Sequence, residues 1–174
     1  MRDPGVRMTG DRVPHLRSVP DRVPGDQDVI EQTYRVHAAR LWRAIRAYSG
    51  DPDVASDAVA EAFAQLLRRG DEVRDPGAWV WRTAFRIASG DLKRRRAFVP
   101  DDRGDQRVAR PDPEIVDLLR ALGQLSSMQR MAVVLHDYAG FPARDAAEVA
   151  GSTEAAIRVH LMRGRRRLRT LLDE

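Results

Sequence analysis

Three of the four Asp-Pro pairs, those at 51–52, 75–76 and 112–113, each head a stretch whose apolar residues recur every three or four positions. An aspartate just before a helix accepts from its first free amides. A proline at the first helical position loses no hydrogen bond and already holds a helical φ. Each pair therefore marks a fresh helix start, and the stripe behind it marks the buried face. After 51–52 the stripe is Ala55, Val59, Ala62, Phe63 and Leu66; after 75–76 it is Trp81, Phe85, Ala88 and Leu92. After 112–113 it is Ile115, Leu118, Leu119, Leu122 and Leu125. Upstream of all three, Ile30, Tyr34, Ala38, Leu41, Ile45 and Tyr48 keep the same spacing until Gly50 stops it. The two-residue alternation of a half-buried strand is missing, so the expected fold is all-α.

The C-terminal third adds a pattern of its own. Ser126 and Gln129 are spaced as a capping box for a helix carrying Met131, Val134, Leu135 and Tyr138. A short helix follows over about 143–150, Gly151 breaks it, and a long one runs over about 154–172. Ile157, Leu161, Leu168 and Leu171, with small Gly164 among them, form its buried seam. Helix, tight glycine turn, helix is the outline of a helix-turn-helix. The first 25 residues hold four prolines and three glycines among few large apolar side chains, too little to offset the entropy of ordering. The stretch 98–112 is similarly charged and poor in apolar residues. The expected organisation is a disordered tail over 1–25, a helical domain over 26–97, a flexible linker over 98–112 and a helix-turn-helix domain over 113–174. The tether holds the two domains apart.

Charge matters here by position. Thirty basic against 26 acidic residues leave a net charge of only +4. Coding bias in a GC-rich genome is one explanation for an excess of arginine so complete that Lys93 is the one lysine, but it does not explain clustering. Lys93, Arg94, Arg95 and Arg96 form one run, and Arg158, Arg163, Arg165, Arg166, Arg167 and Arg169 another with no acid among them. Two separated basic clusters suit nucleic acid. In a helix-turn-helix the first turns of the second helix enter the major groove, which makes Arg158 and His160 the candidates for base edges. Arg163 to Arg169 suit phosphates. The competing reading is a solvated basic helix closing a bundle; the preceding turn and short helix favour DNA. A helix C-terminus explains one or two of the cations at 93–96, not four. Trp81 and Phe85 read as core, and Trp79 is left open.

Nothing suggests catalysis. His15, His37, His136 and His160 are scattered, and there is no cysteine, glycine-rich phosphate loop or nucleophile elbow. No catalytic residue, cofactor, metal or small-molecule substrate is expected. The pair His136-Asp137 reads as an exposed polar site at a helix end. The N-terminal segment lacks the apolar core of a secretory signal, and no apolar run is long enough to cross a membrane, so the expected location is the cytoplasm.

Three segments then carry a resemblance. GDPDVASDAVAEAF (50–63) and PGAWVWRTAFRIASGDLKRRR (76–96) resemble region two of the extracytoplasmic-function sigma factors of bacterial RNA polymerase. Residues 119–172 resemble region four across their length. The two halves stand in the family's order, and the linker is too short for a region-three domain. The resemblance implies a promoter-recognition subunit that binds core RNA polymerase and directs initiation from −10 and −35 elements. It implies that Asp57, Glu61 and Gln65 dock on the polymerase clamp and that the loop over 68–77, with Lys93, Arg94, Arg95 and Arg96 beyond it, meets the −10 element. The helix beginning near Thr153 and Glu154, through Arg158, His160, Arg163, Arg165 and Arg166, would meet the −35 duplex. It further implies an anti-sigma factor as partner. Departures stand at Val54 and Ala60, where an acid and Gln are usual, and at Pro142, where Ser is usual. Ala155, Ala156, Val159 and His160 replace Gly, Thr, Ser and Arg, and Gly164 replaces Ala, so the −35 sequence does not carry over. The alternatives are a stand-alone helix-turn-helix regulator and a sigma-like interaction protein that has lost promoter binding.

Overall fold

The computed structural model describes residues 24–97 and 113–173, with side chains described over 28–94 and 114–173. The expected linker, and the expected tail up to residue 23, lie outside the described residues. Within them there is no strand. The chain forms α1 (Pro24–Ser49), α2 (Pro52–Arg69), α3 (Pro76–Ala97), α4 (Pro113–Gly123), α5 (Ser127–Val133), α6 (Ala143–Ala150) and α7 (Glu154–Leu172).

The start signals work as their chemistry requires. Asp51 Oδ1 accepts from the amides of Asp53 (2.8 Å) and Val54 (3.3 Å) at the head of α2. Asp75 Oδ1 accepts from the Ala78 amide (3.0 Å) at the head of α3. Ser126 and Gln129 form the reciprocal capping box of α5.

In the first half, α1, α2 and α3 pack as a three-helix unit. Its centre is Leu41, Ala44 and Ile45 of α1, Val54, Ala55, Ala58, Ala62 and Leu66 of α2, and Val80, Trp81, Ala84, Phe85 and Ala88 of α3, all essentially without exposed surface. Each large apolar side chain so buried contributes about 1.5–3 kcal/mol. Trp81 and Phe85 lie near-parallel at 6.1 Å, and the Tyr48 ring meets Phe85 at 5.4 Å. Tyr34 belongs to the stripe by spacing but is 56% exposed; it lies at the rim, edge-on to Phe63 at 5.0 Å.

The second half departs from a simple helix at one place. After α5 the chain widens into a π turn over Val134–Tyr138. The Ala139 amide donates to the Val134 carbonyl at 2.9 Å, five residues back. The apolar spacing at 131, 134, 135 and 138 fits either geometry, which is why a continuous helix was the expectation. The turn leaves His136 half-buried with Nδ1 2.7 Å from the Phe141 carbonyl. His136 is thus anchored where an exposed site was expected; its neighbour Asp137 is exposed.

The two halves are packed together, contrary to the expectation of modules held apart. Arg130 of α5, only 6% exposed, donates to the Tyr48 carbonyl at the end of α1 (2.9 Å) and to the carbonyls of Gly123 (2.9 Å) and Leu125 (3.2 Å). Arg40 of α1 donates to the Ala139 carbonyl, and Trp81 of α3 meets Phe141 edge-on at 5.0 Å. Arg82 and Glu148 of α6 stand 3.9 Å apart across the same seam. Sequence periodicity identifies which face of a helix is apolar but not which other helix will cover it.

Candidate nucleic-acid interface

The turn between α6 and α7 is built by three residues. Gly151 takes φ +61, a left-handed conformation that side-chain-bearing residues rarely adopt, and ends α6. The Ser152 amide then donates to the Ala147 carbonyl at 2.9 Å. Thr153 Oγ1 accepts the Ala156 amide at 3.2 Å and starts α7. Pro142 caps α6 without a side-chain bond, its carbonyl accepting from the Ala146 amide at 2.9 Å.

The seam of α7 buries Ile157, Leu161 and Gly164, with Leu168 partly covered. Gly164 is there for space: a Cβ on it would meet Val133 Cγ2 at 2.9 Å and the Gln129 carbonyl oxygen at 3.4 Å. Helical residues advance by about 100° each, so the seam fixes the outward direction. Val159 and Arg166 lie within about 10° of it, Ala155 about 30° away, and Met162 and Arg163 about 50° away. Arg158 stands about 90° off and His160 about 110° off.

The helix therefore presents its expected site residues unequally. Arg163 and Arg166 are exposed on the outer face, and with Arg167, Gln124, Gln129 and Thr170 they line a groove of about 420 Å³ that contains no acid. Arg158 flanks the face and pairs with Glu154 at 2.5 Å. Arg165 is turned aside into a bidentate pair with Asp137 of the π turn; that hydrogen bond raises its pKa above the ordinary arginine value. His160 is half-buried, its Nδ1 enclosed without a hydrogen bond among the described residues. Two residues that the basic pattern conceals occupy the outer face instead: Val159, 40% exposed, and Met162, 63% exposed. Projecting the helix around its seam finds them; counting arginines does not.

The first half offers two further surfaces. On α2, Asp57, Glu61 and Gln65 follow one another at four-residue intervals, Asp57 and Glu61 exposed and Gln65 half-buried. Glu61 Oε1 accepts from Gln65 Nε2 (2.8 Å) and from Arg68 (2.9 Å), and these bonds hold its carboxyl below the usual range. At the end of α3, Lys93 and Arg94 are exposed, Arg94 paired with Asp91. The side chains of Arg95 and Arg96 lie outside the described residues. Trp79 is half-buried, and the Arg69 guanidinium lies 5.9 Å from its ring centroid.

Comparison with known proteins adds a consistent set. The family model described as "Sigma-70, region 4" matches residues 115–168, a span that runs from within α4 into the last turns of α7. "ECF RNA polymerase sigma factor SigM" of Mycobacterium tuberculosis (strain ATCC 25618 / H37Rv) is 30% identical over 158 residues, covering 86% of this chain and 80% of that protein. "Probable ECF RNA polymerase sigma factor SigI" of the same strain is 33% identical, covering 81% of this chain and 54% of its own length. Among solved structures, CnrH in complex with the cytosolic domain of CnrY is similar with a TM-score of 0.67 and 27% identity, over 86% of this chain and 90% of that one. The sigma factor RpoE in complex with the anti-sigma factor NepR from Bartonella quintana shares the fold, with a TM-score of 0.73, 21% identity and 84% and 98% coverage.

Proposed function

The chain belongs to the extracytoplasmic-function sigma factors of RNA polymerase, and from that premise we propose how its surfaces divide the work. A member of this family directs transcription from chosen promoters; it partners core RNA polymerase and promoter DNA. We assign 26–97 to polymerase docking and the −10 element, and 113–174 to the −35 element. The exposed face of α2, through Asp57, Glu61 and Gln65, docks on the polymerase. The basic end of α3, through Lys93, Arg94, Arg95 and Arg96, holds the opened −10 strand. The turn through Thr153 and Glu154 seats α7 in the major groove of the −35 duplex, Arg158 beside the base edges and Arg163 and Arg166 on phosphates. Arg165, engaged with Asp137, braces α7 from behind, and His160 packs beside it.

The observation that carries this reading is the free cationic face of α7. Its seam is covered by α5 and α6, while Arg163, Arg166, Arg167 and Arg169 stay exposed, a field that attracts phosphate and weakens with salt. The chain adds no chemistry to the polymerase and works as a non-enzymatic subunit in the cytoplasm. No helix among the described residues is long and apolar enough to cross a membrane. An anti-sigma factor that covers the polymerase-docking faces completes the scheme; RpoE is seen in complex with the anti-sigma factor NepR, and CnrH in complex with the cytosolic domain of CnrY.

The test is run-off transcription with purified core polymerase on genomic promoter fragments. The expected result is a set of transcripts that depend on the added chain. Sequence-selective DNA binding with no need of polymerase would point to a stand-alone regulator. Tight core binding with no transcript from any fragment would point to a sigma-like interaction protein.

A further inference from the structure

The middle of α7's outer face is apolar. Ala155, Val159 and Met162 run along it at spacings of four and three, and Val159 and Met162 expose 40% and 63% of their surface. Arginines surround the strip: Arg158 on one side, Arg163 on the other and Arg166 at its far end. Two exposed apolar side chains one turn apart, ringed by arginines, form a small apolar strip inside a cationic rim. A duplex floor suits such a strip: in the major groove the one apolar feature a base pair presents is the 5-methyl group of thymine. Arg163 and Arg166 suit the phosphates beside that floor and Arg158 its base edges, so shape and charge agree on the same occupant.

We propose that Val159 and Met162 read thymine methyl groups in the −35 element, making methyl contact, with Arg158 alongside, a determinant of promoter choice. The proposal rests on the assignment of α7 to the −35 duplex. Both residues are exposed, so polar substitution leaves the core intact.

The experiment uses holoenzyme assembled from core polymerase and the full chain, on a promoter mapped from its own transcripts. Each thymine of the −35 element, on either strand, is replaced singly by deoxyuridine, which removes one methyl and nothing else. At one or two positions binding should weaken about fourfold, the value of one methyl group taken from water. Val159→Ser and Met162→Gln should weaken binding to the natural duplex and abolish the matching deoxyuridine penalty. Arg166→Ala should weaken all duplexes alike and keep that penalty. Equal binding of thymine and deoxyuridine duplexes at every position overturns the proposal, as does a penalty undiminished in the Val159→Ser/Met162→Gln double variant. A −35 element without A·T pairs overturns it at once. If the double variant initiates normally but loses an anti-sigma partner, the strip is a protein contact and the proposal fails while the family function stands. Initiation that ignores the −35 sequence altogether overturns the assignment of α7 itself, and the proposal with it.

Discussion

His37 Nδ1 accepts the indole N–H of Trp81 at 3.2 Å, so the ring is held neutral with its proton on Nε2. Burial lowers its pKa from the ordinary 6.5, Arg40 adds to the lowering, and Asp75 opposes it. The unfolded chain takes up this proton near pH 6.5 and the folded chain only below that. The stability contributed is therefore complete above pH 6.5 and is lost as pH falls through 6.5 towards the folded value. His37→Gln keeps an acceptor for Trp81 and removes the titration. In urea denaturation the natural chain should lose more stability between pH 7.5 and 5.5 than this variant does; equal losses would show that His37 is not the group responsible. At this scale the sequence disclosed charge and concealed commitment. The arginine cluster at 158–169 was legible, and so by its four-residue spacing was the pairing of Arg158 with Glu154, but that Arg165 faces Asp137 depends on a side chain brought up by the π turn. Arg158→Ala should relax −35 discrimination, whereas Arg166→Ala should weaken DNA binding across sequences, as competition binding on matched and mismatched promoters would read out.

Helices were the most legible level, because their punctuation is local. Aspartate caps, the Ser126/Gln129 box and the Gly151 stop each act within four residues, and α2, α3 and α5 begin, and α6 ends, where those residues dictate. Ser126→Ala removes one half of the box and should cost about 1 kcal/mol in denaturant midpoint analysis. The π turn after α5 was not legible, since its cause lies in what Ala139 and Phe141 bond to. Gly164 separates propensity from packing. Alanine there gains about 1 kcal/mol as a helix former, but its Cβ would press to 2.9 Å on Val133 Cγ2. Valine is stiff at χ1 and cannot swing clear, and overpacking of this kind costs about 1–3 kcal/mol. Gly164→Ala should therefore come out neutral to destabilising; a variant more stable than the natural chain would show that α5 yields.

For the whole molecule, the all-α class followed from the sequence, and the meeting of the two halves did not. Their seam is polar as well as apolar: Arg130 joins the carbonyls of Tyr48, Gly123 and Leu125, while Trp81 and Phe141 meet beside it. Arg130→Met should leave those carbonyls without their charged donor and destabilise the chain by about 3 kcal/mol. Spin labels on exposed positions of α2 and α7 should report a longer distance in the variant. The closeness of the halves also sets a problem in measurement. Centres 25 base pairs apart, as the names −10 and −35 specify, lie about 85 Å from each other along B-DNA at 3.4 Å per step. A folded chain of this size has a radius of gyration of about 15 Å and spans roughly 40 Å. So packed, the protein is a caliper with its jaws shut, shorter than the gap it must gauge. Whatever work opens the jaws is subtracted from its grip on every promoter.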